Sequence, residues 1–163
     1  RVMTPIGVPA GWTWQGLHQM RTMLADGREV AVTTGGSHWG GGLWLTAFDL
    51  ARFGLLHLDG GAWGARRILS ERWCALMLEP TAVRPAYGLM WWRNPEAGSA
   101  SSSGALADDE AFYPGCGVRA FAAHGTGDQV VLCDPDRDLV AVVRWSADPN
   151  PILAAITAAV AAR

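Results

Sequence analysis

The sequence predicts an α+β fold in which helices cover an antiparallel sheet. Three largely apolar runs lie between residues 118 and 145, and two short turns rich in Gly, Asp and Pro separate them. Such connections favour hairpins between neighbouring antiparallel strands. The last run, 139–145, is apolar almost throughout, which predicts a central strand covered on both faces. A helix over 152–162, with Ile152, Ile156 and Val160 on its buried face, would provide one cover.

Earlier in the chain, residues 13–34 favour two extended segments around an Asp26-Gly27 turn, and a short helix over 15–24 is the alternative. The run 35–42 then carries five glycines in eight positions. So many glycines cannot sustain a helix or strand interior. We therefore expect a loop whose backbone bends sharply or approaches a ligand closely.

Two helices are predicted next from their capping residues. Thr46 and Asp49 can satisfy the free amides of a helix that ends at Gly60-Gly61. Ser70 is the predicted N-cap of a second helix, which Pro80 would end. The apolar segment 87–92 is interpreted as a strand, and the serine-rich stretch 98–104 as a surface loop.

Length and composition fit one globular domain. The chain has 163 residues, 50% of them hydrophobic, and a formal net charge of −2. It has no basic patch that would indicate a nucleic-acid partner, and no apolar run near the ~20 residues of a membrane span. We therefore expect a soluble protein with neither kind of partner.

The residue inventory excludes several chemistries. All 13 basic residues are Arg, so a Schiff-base lysine, a phosphate-binding P-loop lysine and a Ser-x-x-Lys dyad are absent from this sequence. Three cysteines show no metal-ligand spacing, and Cys74 and Cys133 are expected to be small buried side chains. No metal or cofactor is predicted.

A few residues are candidates for chemistry. Ser37 lies in Gly-Gly-Ser-His-Trp, which nearly matches a nucleophile elbow, but Trp39 replaces the second glycine and the strand–turn–helix context is missing. Asp134, Asp136 and Asp138 alternate as in a calcium loop without its Gly and Glu, so turn residues are the interpretation. His124 ends a predicted strand before glycines, where it could project into a cleft or lie in the core.

Several stretches in this order and spacing resemble one family. They are the opening segment 1–7, the glycine loop and helix over 38–54, the helix start 67–73, the Tyr-Gly-Leu-Met-Trp-Trp segment 87–92, and the strands over 121–144. Together they are similar to the C-terminal part of serine β-lactamase-like hydrolases. This family includes class C β-lactamases, D-alanyl-D-alanine peptidases, esterases and 6-aminohexanoate-dimer hydrolases.

The resemblance implies acyl-enzyme chemistry on a small-molecule or peptide-like amide or ester, in a bacterial penicillin-binding-protein-like hydrolase. In the family, the Ser-x-x-Lys nucleophile and the Tyr-x-Asn base both precede the segment that residues 1–7 resemble. Neither Tyr87 nor Tyr113 is followed two positions on by Asn. We therefore expect residues 1–163 to be the C-terminal portion of a single domain, with no catalytic residue, inactive alone and paired with the remainder of the protein.

The resemblance also places a candidate substrate-binding site. The family's third element is a Lys-Thr-Gly or His-x-Gly strand end beside the acyl-binding cleft. The glycine loop and the third-element segment supply seven expected substrate-binding residues: His38, Trp39, Gly41, His124, Gly125, Thr126 and Gly127. The alternative is a non-catalytic β-lactamase-like protein that binds peptide-like ligands. Substrate and compartment stay open.

Overall fold

The computed structural model describes residues 2–14, 16–33, 42–94, 113, 115–125 and 128–161. The predicted sites His38, Trp39, Gly41, Thr126 and Gly127 lie outside the described residues, as do Ser37 and the serine-rich stretch 98–104. The helices are α1 (Ala47–Leu58), α2 (Glu71–Leu76), α3 (Asn150–Ala161) and a 3-10 turn at Thr4–Ile6. The strands are β1 (Thr13–Trp14), β2 (Gly16–Met23), β3 (Glu29–Thr33), β4 (Leu43–Trp44), β5 (Ala62–Trp63), β6 (Arg66–Arg67), β7 (Trp92–Arg93), β8 (Phe121–Gly125), β9 (Gln129–Asp134) and β10 (Leu139–Val143).

The main sheet is antiparallel, with strand order β10-β9-β8-β7. Its last three strands are consecutive hairpins, as the sequence predicted, and Phe121 lies opposite Cys133. One expectation was wrong: β10 ends the strand order among the described residues, and β9 lies inside the sheet. The apolar run of β10 reflects cover on both faces, which a strand at the end of the order can also have.

The two faces of the sheet bury different side chains, so the α+β prediction with helical cover is confirmed. On one face, Ala122, Leu132 and Ala141 pack with Leu153 of α3. On the other face, a second cluster includes Phe121, Trp91 and Cys133 from the core and Phe53 from α1.

Helix α1 lies unusually close to the sheet because Gly54 has no side chain. A Cβ added at Gly54 would lie 2.7 Å from Val140 Cγ1 and 2.9 Å from Val131 Cγ1. The predicted cap is confirmed: Thr46 Oγ1 accepts a hydrogen bond from the Asp49 amide at 3.1 Å. On its other side α1 packs Leu56 against the N-terminal segment.

The secondary-structure predictions for the other elements were partly confirmed. Strands β2 and β3 pair around Gly27, whose φ is +82°. The predicted hairpin is therefore confirmed, and the alternative helix over 15–24 is not formed. Ser70 caps α2 by accepting from the Trp73 amide at 3.1 Å. The predicted strand over 87–92 is present only at its end, where Trp92 begins β7 and forms an isolated bridge with Tyr87. Between them the chain turns, since Met90 has a φ of +67° and the Gly88 amide bonds to the Trp91 carbonyl.

Helix α3 is present, and Ile156 of the predicted face packs against the core, but the fully buried residues of the helix are different ones. Leu153 and Thr157 are its buried residues, whereas Ile152 is 43% exposed. A threonine can lie in the core here because its hydroxyl donates back to the Leu153 and Ala154 carbonyls, each at 3.0 Å. Among the described residues, no helix is both long enough and apolar enough to cross a bilayer.

Candidate functional site

His124 lies near the end of β8, where the sheet meets the β8–β9 hairpin. It is opposite Val130, and the next residue, Gly125, is opposite Gln129. Strand alternation directs Ala122 and His124 to the same face of the sheet, the face that packs on α3. The strand therefore buries its first two residues and exposes its end, where His124 lies.

A buried tyrosine contacts this histidine. Tyr113 Oη is 2.7 Å from His124 Nε2, and the ring centroids are 5.7 Å apart. Tyr113 itself is fully buried, although no regular element contains it. The pair joins the strand end to a segment that precedes β8 in the chain.

Asn94 fixes the position of Tyr113. The Asn94 side chain is buried at 3% exposure, its Oδ1 accepts from the Tyr113 amide at 2.9 Å, and its Nδ2 donates to the Gly117 carbonyl at 3.0 Å. A side chain that satisfies several backbone groups inside the protein costs more to lose than a surface contact. We call Asn94, Tyr113 and His124 the strand-end cluster.

The cluster is neutral near pH 7. His124 is an exposed residue, yet its ring packs against Tyr113 and Trp92, and this partial burial lowers the imidazole pKa, while the Asp128 carboxylate opposes the shift. Burial raises the pKa of the Tyr113 phenol. A neutral imidazole can both donate and accept a hydrogen bond, which is what binding a polar ligand requires.

Aromatic and cationic groups continue from the cluster along the same side of the sheet. The Trp92 ring lies 6.5 Å from the His124 ring and 4.6 Å from the Tyr87 ring. The Arg84 guanidinium carbon lies 4.9 Å from the centroid of Trp92. This arrangement provides a partly buried apolar wall with a cation at its far end.

Arg144 connects the hairpin of His124 with the segment that follows the glycine loop. Its Nη1 donates to the Leu45 carbonyl at 2.9 Å, and its Nε donates to Gln129 Oε1 at 2.7 Å. Leu45 directly follows β4, and Gln129 is opposite Gly125. The β8–β9 hairpin and the residue that follows β4 are therefore linked through one guanidinium.

No nucleophile is evident among the described residues. Ser70 caps α2, and Ser146 donates to the Asp148 carbonyl at 2.8 Å. Burial raises the pKa of all three cysteines, to about 11 for Cys116, which disfavours the reactive thiolate.

Other titratable residues have structural partners. Asp134 is fully buried and accepts from the amides of Gly117 and Asp136 and from the Arg137 guanidinium. This is the turn role that the sequence predicted for the Asp-rich segment. Among the residues whose placement is described, no cluster of His, Cys, Asp or Glu could hold a metal ion.

Sequence reasoning named His124 as a candidate and did not predict the residues that contact it. Tyr113 follows an acidic stretch, and its partner lies eleven positions away, so no local periodicity indicates the bond. Asn94 acts over nineteen residues. Arg144 could have been noticed, because it is a charged residue directly after an apolar strand and must find partners at the edge of the sheet.

Comparisons with known proteins give similar structures but no sequence family. The sequence matches no protein-family model and no curated protein. One similar solved structure, from Bacillus anthracis, is provisionally described as a 6-aminohexanoate-dimer hydrolase; identity is 22%, the TM-score is 0.46, and the match covers 74% of this chain and 28% of that one. Another, provisionally described as a β-lactamase from Bacteroides dorei, has 19% identity and a TM-score of 0.46, with 78% and 44% covered. The chain spans less than half the length of either.

Proposed function

We propose that this chain is the C-terminal part of a β-lactamase-like serine hydrolase that cleaves an amide or ester through an acyl-enzyme. The nucleophile lies outside residues 1–163. The glycine loop with His38, Trp39 and Gly41, and the strand end with His124, Gly125, Thr126 and Gly127, line the acyl-binding cleft.

The observation that carries the proposal is the tie through Arg144. The sequence motifs resemble the family at two separated places, the glycine loop before α1 and the end of β8. The Arg144 side chain bonds to the Leu45 carbonyl, shortly after the glycine loop in the sequence. It also bonds to Gln129, which is opposite Gly125 at the end of β8. Two motifs that resemble one family are thus linked by a single side chain, which supports a shared site.

The strand-end cluster supports the binding role of His124. A polar side chain that only filled space would not need a buried phenol and a buried amide behind it. Fixed donors near a reacting carbonyl stabilise the oxyanion that develops there. We assign His124 to substrate binding on this ground.

The remainder of the protein is the proposed structural partner, on the outer side of α1. Phe48 is 80% exposed, and a groove of about 310 Å³ lies between it, Leu55 and Val140. None of the described strands pairs with the outer edge of β10. Exposed apolar area and an open strand edge both favour association with further polypeptide.

The test is to label the complete protein with a fluorophosphonate probe and to locate the modified residue by peptide mass spectrometry. We expect labelling at the serine of a Ser-x-x-Lys motif encoded upstream of Arg1, with a Tyr-x-Asn following it. Residues 1–163 alone should remain unlabelled. Stoichiometric labelling of Ser37 would contradict the assignment of the nucleophile to another part of the protein.

A second candidate is a non-catalytic relative that binds peptide-like ligands. The observation that favours it is that both described serines are engaged in hydrogen bonds, while Cys74 and Cys133 are buried and Cys116 is partly buried. It predicts an upstream region without Ser-x-x-Lys, no labelling by the probe, and saturable peptide binding that His124→Ala weakens.

A further inference from the structure

We propose that Trp145 is a specificity-determining residue, whose indole stacks against an uncharged aromatic group of the substrate. Trp145 lies just after β10, next to Arg144, and 75% of it is exposed. Its part in choosing a substrate for hydrolysis rests on the proposed function, whereas the binding of an aromatic group at this indole does not.

The strand register places Trp145 at the same edge of the sheet as the candidate site. Strands β8 and β10 are both antiparallel to β9, so they run in the same direction and end at the same edge. His124 and Val143 are both opposite Val130 and therefore lie in one row across the sheet. Since adjacent strands are about 4.8 Å apart, this row spans about 10 Å. Trp145 follows two residues beyond it, within reach of a substrate that extends from His124.

The backbone of Trp145 is strained. Its φ is +61°, a left-handed conformation that crowds the Cβ of a bulky residue against the backbone. A turn in the short link 144–149 between β10 and α3 would be formed more readily by Gly, Asn or Asp. Asp128 and Asp138, which also have positive φ values, are of that tolerant kind. Because strained residues concentrate at ligand sites, a tryptophan here favours a role for its side chain.

The indole is supported by a fixed cation. The Arg144 guanidinium carbon lies 5.1 Å from the centroid of the Trp145 ring. The same guanidinium donates to the Leu45 carbonyl at 2.9 Å and to Gln129 Oε1 at 2.7 Å. A ring whose neighbour is held by two hydrogen bonds loses less conformational freedom when a ligand binds, so the platform is preorganised.

The charges around the ring determine which group would bind. The face of an aromatic ring is electron-rich and does not favour an anion, which would approach the guanidinium instead. The positive charge of Arg144 disfavours a second cation at the same indole. An uncharged aromatic group meets neither penalty, and it gains from stacking in an offset or edge-to-face arrangement. We therefore assign the platform to an aryl group of an amide or ester substrate.

The experiment compares two esters with the complete protein. Ethyl 5-phenylpentanoate carries a phenyl ring at the end of its acyl chain, and ethyl pentanoate is the same ester without the ring. We expect Trp145→Leu to lower kcat/KM for the phenyl ester by about three- to tenfold, the equivalent of one aromatic contact, and to leave ethyl pentanoate unchanged. Trp73→Leu is the matched control, because Trp73 is an exposed tryptophan on α2. It should retain the wild-type kcat/KM for both esters.

A second variant separates ligand binding from packing. Trp145→Gly removes the indole and the strain together, because glycine adopts a positive φ without a Cβ. We expect this variant to lose the preference for the phenyl ester while its denaturant midpoint stays at or above that of the wild type. A lower midpoint would show that the indole packs against other polypeptide in the complete protein, and it would overturn the proposal.

A titration with unreactive ketones separates this proposal from the proposed function. We expect 6-phenylhexan-2-one to shift the indole N–H resonance of Trp145 saturably in 1H–15N spectra, and hexan-2-one to leave it unmoved. The resonance is assigned by its absence in Trp145→Leu. No shift, or an unchanged ester preference in Trp145→Leu, would overturn the role of Trp145. If the wild type hydrolyses neither ester, the hydrolase proposal fails, and the ketone titration still decides whether Trp145 binds an aromatic group.

Discussion

Two histidines in this molecule have the same ordinary pKa but different hydrogen-bond partners. His57 lies in the helix-side cluster, which we define as Phe53, His57, Trp91 and Phe121, with ring centroids 4.4 Å from Phe53 and 4.8 Å from Trp91. His124 lies in the strand-end cluster, where its main contact is a side-chain hydroxyl.

Burial lowers the pKa of both imidazoles. The difference teaches that a lowered pKa does not identify a functional histidine. His57 bonds the backbone of its own helix, as a core residue does. His124 bonds a distant side chain near the end of β8, and the proposed binding role rests on this arrangement.

The largest effect should come from removing the centre of the helix-side cluster. Trp91 is 5% exposed, and its ring packs 5.1 Å from Phe121. We expect Trp91→Ala to lower the free energy of unfolding by about 3–5 kcal/mol, measured by denaturant titration of the complete protein. Trp44→Ala is the control because Trp44 is 63% exposed. Equal losses in both variants would mean that Trp91 does not anchor the core.

Gly54 tests how closely the helix-side cluster is packed. A methyl group there would overlap Val140 and Val131, which costs about 1–3 kcal/mol, and the better helix propensity of alanine returns up to ~1 kcal/mol. Gly54→Ala should therefore be less stable by about 1–2 kcal/mol. Gly11→Ala, where a Cβ would meet no atom within 4 Å, should be neutral. A stabilised Gly54→Ala would refute the close approach of α1.

Replacing each histidine in turn should separate an effect on acylation from an effect on stability. We expect His124→Ala to reduce the acylation rate about ten- to a hundredfold, since it removes a substrate-binding donor, while unfolding free energy changes by about 1 kcal/mol or less. His57→Ala should do the reverse, because it leaves a hole between aromatic rings. A loss of folding in His124→Ala would identify a core histidine.

The smallest expected effect is the pH dependence of stability. Both histidines have folded-state pKa values below the ordinary 6.5, so between these values the unfolded chain binds more protons than the native one. Stability should therefore fall as the pH drops below 6.5 toward the folded pKa values, and His57→Gln should flatten this fall. A stability that rises on acidification from pH 7 to 5.5 would show that neither imidazole is held neutral.

The sequence predicted the three hairpin strands and both helix caps because those features depend on neighbours within a few residues. The buried face of α3 could not be predicted, since Ile152 and Leu153 are equally apolar and only docking selects Leu153. The turn at Met90 could not be predicted because nothing in this apolar run marks a non-glycine residue with a φ of +67°. The contacts of His124 could not be predicted because Asn94 and Tyr113 are distant in the sequence and come together only in the folded chain.

The Arg144 tie has a consequence for how this protein could be redesigned. Strand β3, which precedes the segment 34–41 in the chain, is paired with β2. Strand β4, which follows that segment, is paired with β1, and Leu45 after it is bonded to Arg144. The entropy cost of a longer loop between fixed ends grows only slowly, by about 0.6 kcal/mol for each doubling. The proposed function therefore predicts that sequence libraries at 34–41 would vary ligand preference while the sheet and its hairpin serve as an unchanged scaffold.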